Sequence, residues 1–195
     1  MQDRFAFLRP YKVVLVVGPQ RSGTTFAGNV IAADLKRRYV DEQDAKGDPA
    51  LHVDQLLMLA EPVVVQCPAW THCCHRLASR QTAVVLVRRC LDEILASQER
   101  IGWTQRCEPD ELARYGVSQG PIAEVKYRFW DQHQRAVLGR HGYEVEYDSL
   151  KAHPMWVDRN SRRDFGAKQI RPGEGNLGPQ GLDGPISATG EGEGQ

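Results

Sequence analysis

Apolar and polar positions fall into alternating strand-like and helix-like stretches along this chain. Residues 12–17 form a β-branched apolar run ended by Gly18-Pro19, which predicts a short strand buried on both faces. Beyond the turn, Phe26, Val30, Ile31 and Leu35 recur at helical spacing and predict a helix over 24–38, with Arg and Lys gathered in its last turn. Further helices are predicted over 52–60, 70–79, 91–101 and 122–138, and further strands over 63–65, 83–87 and 143–147. Residues 105–121 carry Pro109, Gly116, Gly120 and Pro121 and read as a break between the halves, a candidate lid on the acceptor side. Strands separated by helices pair in parallel, so the expected fold is α/β, a three-layer sandwich around a central parallel sheet.

Composition narrows the picture. A chain of 195 residues, 41% hydrophobic, suits one domain, expected over 1–171. Residues 172–195 are glycine-rich with little to bury, which predicts a disordered tail. Lys+Arg 25 balance Asp+Glu 25, so no overall basic field exists to hold a nucleic acid or an anionic membrane, and any anion site must be local. No apolar run approaches the roughly 20 residues of a membrane span. The odd cysteine count, five, without framework spacing, points to free thiols and a cytoplasmic setting. A homo-oligomeric state stays open.

The candidate chemistry begins in the turn. Gly18-Pro19-Gln20-Arg21-Ser22-Gly23-Thr24-Thr25 lies between a buried strand and a helix start, where backbone amides and the positive helix end converge on a phosphate. A Walker A loop would place lysine at position 24, where this chain has threonine. Arg21 instead puts a permanent cation inside the loop, and Ser22, Thr24 and Thr25 add hydroxyls. A second constellation follows the strand over 83–87: Arg88 and Arg89 end it, and Ser97 lies eight residues beyond Arg89. Counting from Arg88 reaches Ala96, which has no donor, so Arg89 is the partner expected for Ser97.

The octapeptide resembles the 5′-phosphosulfate loop of the sulfotransferase family, whose pattern is Lys or Arg followed by Ser-Gly-Thr-Thr. The resemblance implies a P-loop NTPase-like, sulfotransferase-like fold and 3′-phosphoadenosine 5′-phosphosulfate (PAPS) as the sulfuryl donor. By the same resemblance, Gln20, Arg21, Ser22, Gly23, Thr24 and Thr25 would hold the 5′-phosphate, Arg21 would meet the moving sulfuryl group, and Arg89 and Ser97 would contact the 3′-phosphate. Two separate cationic pockets would then grip the two ends of the nucleotide. The acceptor would be a small-molecule or carbohydrate hydroxyl.

A transferred hydroxyl proton needs a base. Glu42, expected just after the first helix, resembles the glutamate of the carbohydrate and protein-tyrosine branches and ranks first; His72 is the nearest imidazole. The aromatics Trp103, Tyr127, Phe129 and Trp130 are candidates for an acceptor pocket. Cys67, His72, Cys73, Cys74 and His75 lack paired metal-ligand spacing, so no metal is expected. The family's late glycine-rich cofactor loop is not recovered at 171–176. Rival readings are a P-loop kinase or NTPase using Arg21 in place of lysine, and a nucleotide-binding protein without chemistry.

Overall fold

The computed structural model describes residues 4–45, 47–101 and 108–156. The expected tail, the 171–176 stretch, Trp103 and Cys107 lie outside the described residues. Five strands, β1 (Val13–Val17), β2 (Arg38–Val40), β3 (Val63–Gln66), β4 (Thr82–Arg88) and β5 (Gly142–Glu146), form one parallel sheet in the order β2-β3-β1-β4-β5. All five residues of β1 are buried, as a central strand covered on both faces requires. Each such valine contributes about 1.5 to 3 kcal/mol by leaving water.

The side-chain alternation of β1 assigns the two faces. Val14 and Val16 pack with Ala27, Val30, Ile31 and Leu35 of α1 (Thr24–Leu35). Val13, Leu15 and Val17 pack on the other side. There they meet α2 (Pro49–Met58), α3 (Cys74–Leu77), α4 (Leu91–Arg100) and α6 (Ile122–Val137) through Val53, Leu77, Ile94 and Trp130. A short helix α5 (Glu108–Ala113) packs on α6. The result is the three-layer α/β sandwich expected from the sequence.

Several boundaries differ. α1 stops at Leu35 because Lys36 turns left-handed (φ 56°) and its N–H closes the last turn onto Ala32 and Ala33. The cations expected in the last turn therefore lie past it, and Arg38–Val40 leaves as an edge strand paired only with β3. The helix expected over 70–79 is a 3-10 turn, Pro68–His72, followed by the single turn of α3. Residues 105–121 are not a plain break, since they contain α5.

Strand order fixes where a ligand can enter. From β1 the chain crosses to β2 on one side, whereas from β3 it crosses past β1 to β4 on the other. The crossovers part at the carboxyl end of β1, which is where open α/β sheets leave a crevice.

Candidate functional site

At that crevice the loop 18–25 makes a tight, strained turn. Gly18 (φ 142°), Arg21 (φ 74°) and Gly23 (φ 97°) all adopt positive φ. A Cβ at Gly18 would lie 2.9 Å from the Val87 carbonyl oxygen, and one at Gly23 would lie 2.3 Å from two ring carbons of Tyr147. The glycines are thus demanded by close approach as well as by conformation. Gly23 caps α1 without a side-chain hydrogen bond, which leaves the first-turn amides open to an anion.

Side chains from several neighbouring elements grip the loop. The Gly18 N–H donates to Thr71 Oγ1 (3.1 Å), and the Thr71 hydroxyl donates in turn to the Pro68 carbonyl (2.8 Å). Gln98 of α4 donates through Nε2 to the Gln20 carbonyl (3.3 Å). Arg21 donates through Nε to Ser97 Oγ (3.2 Å), and Arg89 donates through Nη1 to the Arg21 carbonyl (3.1 Å). Lys126 of α6 donates to Gln20 Oε1 and to the Pro68 carbonyl (3.2 Å).

Arg21, Arg89 and Ser97 therefore meet, in a different arrangement from the one expected. Instead of two separate pockets there is one cationic rim, because the left-handed backbone at Arg21 carries its side chain across to α4. Arg89 is held by Glu93 Oε2 (2.7 Å) and lies 4.5 Å over the Tyr147 ring. Its neighbour Arg88 faces elsewhere, bound to Glu144 (3.0 Å) and Asp131 (2.8 Å). Arg21 is exposed, and its Nη nitrogens have no partner among the described residues. Ser22 Oγ is fully buried and has none either.

Thr24 and Thr25 diverge. Thr24 is buried and accepts a hydrogen bond from Gln66 Nε2 (3.2 Å), while Thr25 is exposed at the helix start. Gln66 ends β3 at 3% exposure and so occupies, with a neutral amide, the neighbouring strand end beside the loop.

Glu42 follows β2 rather than the first helix, which brings it to the crevice rim. It accepts the Ala69 N–H, and burial, only partly opposed by that bond and by Lys126, holds its carboxyl above the ordinary range. His72 flanks the same residue from the other side, donating Nδ1–H to the Ala69 carbonyl (2.8 Å). Burial lowers its pKa, so the ring stays neutral with Nε2 unprotonated. Both candidate bases thus border one peptide segment at the end of β3.

Sequence reasoning missed Lys126 and Glu111. The Lys126 side chain is 0% exposed and its ammonium pairs with Glu111 of α5, 12% exposed. Gln20 Nε2 closes the triangle on Glu111 Oε1 (3.1 Å). Burial drives the Lys126 pKa down while Glu111 supports the charged form. Helical periodicity gave no sign of this, since 126 falls on the inward face of α6 among apolar neighbours.

The candidate aromatic lining is reassigned. Tyr127 and Trp130 belong to the core: the Tyr127 hydroxyl donates to the Arg89 carbonyl (3.0 Å) and accepts its N–H (2.8 Å), and Trp130 Nε1 donates to Glu144 (2.8 Å). Phe129 packs against His133, His75 and Tyr115. Among the described residues no three His, Cys, Asp or Glu side chains gather as metal ligands, and no helix is long and apolar enough to cross a membrane.

No protein-family model matches the chain, and no curated protein does. Among solved structures, the YorR protein of Bacillus subtilis, in complex with phosphorylated GDP, aligns at TM-score 0.44 and 12% identity over 70% of this chain and 86% of its own. Shikimate kinase from Acinetobacter baumannii, in complex with shikimate, aligns at TM-score 0.44 and 12% identity over 85% of this chain and 94% of its own. Scores this low support no inference, so the architecture stands on the chain's own strand order and glycine turn: a parallel α/β sheet with a positive-φ glycine loop leading from its central strand into α1.

Proposed function

We propose that this chain binds a nucleotide by its phosphates in the 18–25 loop and transfers a group from it to a small hydroxyl acceptor. One observation carries the reading: the loop is rich in donors and short of acceptors. The Ser22 hydroxyl is buried without a partner, the α1 amides lack a side-chain cap, and Arg21 keeps guanidinium nitrogens open beside them. A phosphate supplies the missing acceptors.

The finer reading takes PAPS as the donor, which supplies a sulfuryl group on a good leaving phosphate. In this reading the single cationic rim takes both anionic ends once Arg21 leaves Ser97. The loop amides with Ser22 and Thr25 hold the 5′-phosphate, Arg21 swings from Ser97 toward the charge that develops during transfer, and Ser97 with Arg89 takes the 3′-phosphate. The acceptor oxygen bonds to sulfur, the bridging sulfur–oxygen bond breaks, and the acceptor proton passes to Glu42, whose raised pKa suits a base working near neutrality. Gln66, a neutral amide beside the loop, favours this assignment over one needing a strand-end carboxylate for magnesium.

A second reading rests on Lys126. Its ammonium touches the loop through Gln20 and stands near Glu111 and Glu42, so it offers the cation absent at position 24, with two carboxylates for magnesium. This is kinase-type phosphoryl transfer.

A thermal-shift panel separates the two. Adenosine 3′,5′-bisphosphate, AMP and magnesium ATP are compared at about 100 times Kd, where a bound ligand adds about 2.7 kcal/mol. Preference for the bisphosphate, unaffected by EDTA, supports sulfuryl transfer; preference for magnesium ATP, lost on chelation, supports the kinase reading. Stabilisation by none of the three overturns both. In either case Arg21→Ala lowers turnover by about a hundredfold or more, as loss of a transition-state donor does.

A further inference from the structure

The glycine loop contains a turn that its own residues do not support. The Ser22 N–H donates to the Pro19 carbonyl (3.0 Å), which makes Gln20 and Arg21 the central pair of a β-turn. Gln20 is not among the positive-φ residues, whereas Arg21 has φ 74°, and that combination is a type II turn. Its third place favours glycine or asparagine, and its second favours proline. Here proline stands first and arginine third. A side chain bearing a Cβ resists left-handed backbone, so this sequence left to itself prefers a type I turn, with Arg21 at negative φ. The two forms differ by a half-rotation of the peptide plane between residues 20 and 21.

The surroundings supply what the turn lacks. Gln20 Oε1 accepts from the Lys126 ammonium, its Nε2 donates to Glu111 Oε1 (3.1 Å), and its carbonyl accepts from Gln98 Nε2 (3.3 Å). These partners are themselves anchored, since Lys126 is fully buried and paired with Glu111, and Gln98 is buried on α4. Rotating the peptide plane would swing the Gln20 carbonyl away from Gln98 and leave that buried amide without this acceptor. On the far side of the turn the Arg21 carbonyl accepts from Arg89 Nη1, and the left-handed backbone carries Arg21 Nε to Ser97. Strained backbone persists where its neighbours over-determine it.

We infer that Gln20, together with Gln98, is a positioning residue: its side-chain amide is occupied by α5 and α6 rather than by a ligand, and the clamp holds the 19–22 turn in the form that aims Arg21 and the neighbouring amides at a bound phosphate. The effect on binding rests on the phosphate reading of the loop; the form of the turn does not. Through this one amide, α5 acts on the site from outside it.

Gln20→Met keeps the side chain's length and removes both of its hydrogen bonds. It is made in the parent chain, in Arg21→Ala and in Arg21→Gly. The first readout is the nuclear Overhauser effect between the amide proton and Hα of residue 21, which is far more intense at positive φ because the two protons then lie close. The second is the affinity for inorganic pyrophosphate, by calorimetric titration. The Overhauser effect is expected to be intense in the parent and in Arg21→Ala, and to fall to the ordinary level when Gln20→Met is added. Affinity falls by about tenfold on that addition in both chains, but by less than about twofold in Arg21→Gly, since glycine takes positive φ without support. A residue needed only for packing would weaken all three chains alike. An Overhauser effect that survives Gln20→Met overturns the inference, as does an equal loss of affinity in Arg21→Gly or no loss in the parent. Should pyrophosphate fail to bind the parent, the phosphate reading falls, and the Overhauser effect alone decides the clamp. If Gln20→Met does not fold, Gln98→Met acts on the same peptide plane and leaves the Lys126–Glu111 pair in place. Loss of the intense effect there supports the clamp, and its retention overturns it.

Discussion

Replacing Lys126 with methionine removes a charge while keeping most of the side chain's volume, so its effect isolates the electrostatics behind the glycine loop. The ammonium is 0% exposed and its partner Glu111 only 12%, with Gln20 Oε1 and the Pro68 carbonyl as further acceptors. In Lys126→Met these acceptors face an apolar methyl and the Glu111 carboxylate is left without its counter-charge. Breaking a buried pair in this way costs about 3 to 5 kcal/mol, about a fifth or more of a domain stability of about 5 to 15 kcal/mol. At about 2 to 4 °C per kcal/mol for a chain of this size, Tm falls by about 6 to 20 °C. Urea unfolding and calorimetry measure both quantities. Lys126→Met/Glu111→Met recovers most of the loss, because the orphaned carboxylate is gone as well. A single-variant loss under about 1 kcal/mol, the level of exposed ion pairs, refutes the reasoning. A double variant no more stable than the single one refutes it equally.

Ser97→Ala weakens adenosine 3′,5′-bisphosphate by roughly 1.5 to 3 kcal/mol, the range for hydrogen bonds to charged groups, as read by calorimetric titration. Equal loss for AMP, which lacks the 3′-phosphate, contradicts the role. For Glu42, burial above the ordinary carboxylate range means that turnover climbs with pH along a limb displaced upward, and Glu42→Gln abolishes that limb. The same shift has a stability sign: Glu42 favours the native state while protonated, and that advantage fades as pH rises from the unfolded carboxylate value through the higher folded one. Urea midpoints across that window should decline in the parent chain and flatten in Glu42→Gln. Burial also pushes the thiols of Cys67 and Cys74 up to about 12, whereas Cys90 is exposed. Iodoacetamide at pH 8 followed by peptide mapping should therefore label Cys90 first among the cysteines of the described residues, and equally fast labelling of Cys74 in the folded chain would count against the packing described.

Local signals carried much of the architecture. A continuous apolar run marks a strand covered on both faces, so β1, β3 and β4 were legible, and Gly18 and Gly23 marked the turn between β1 and α1. The spacing from Arg89 to Ser97 also marked two side chains that reach Arg21. β2 was not legible, because three residues at a sheet edge, two of them open to solvent to some degree, leave no apolar pattern. Its omission displaced Glu42 from a strand end to a helix end. Lys126 and Glu111 were hidden for a different reason: charge pairing between α5 and α6 depends on how the helices dock, and neither periodicity nor composition encodes that. The merging of the two expected cationic pockets likewise came from a single left-handed residue, Arg21, whose φ no motif specifies.

Tyr147 forms the floor under Gly23 and the platform on which Arg89 rests, and the Trp156 ring leans on it in turn at 5.4 Å between centroids. An octapeptide that looks self-contained near the start of the chain is thus completed by residues made long after it. During synthesis the turn emerges early yet stays unsupported until the stretch following β5 has left the ribosome. A nascent chain halted after α6 would carry every residue of the loop and still lack the surface that shapes it.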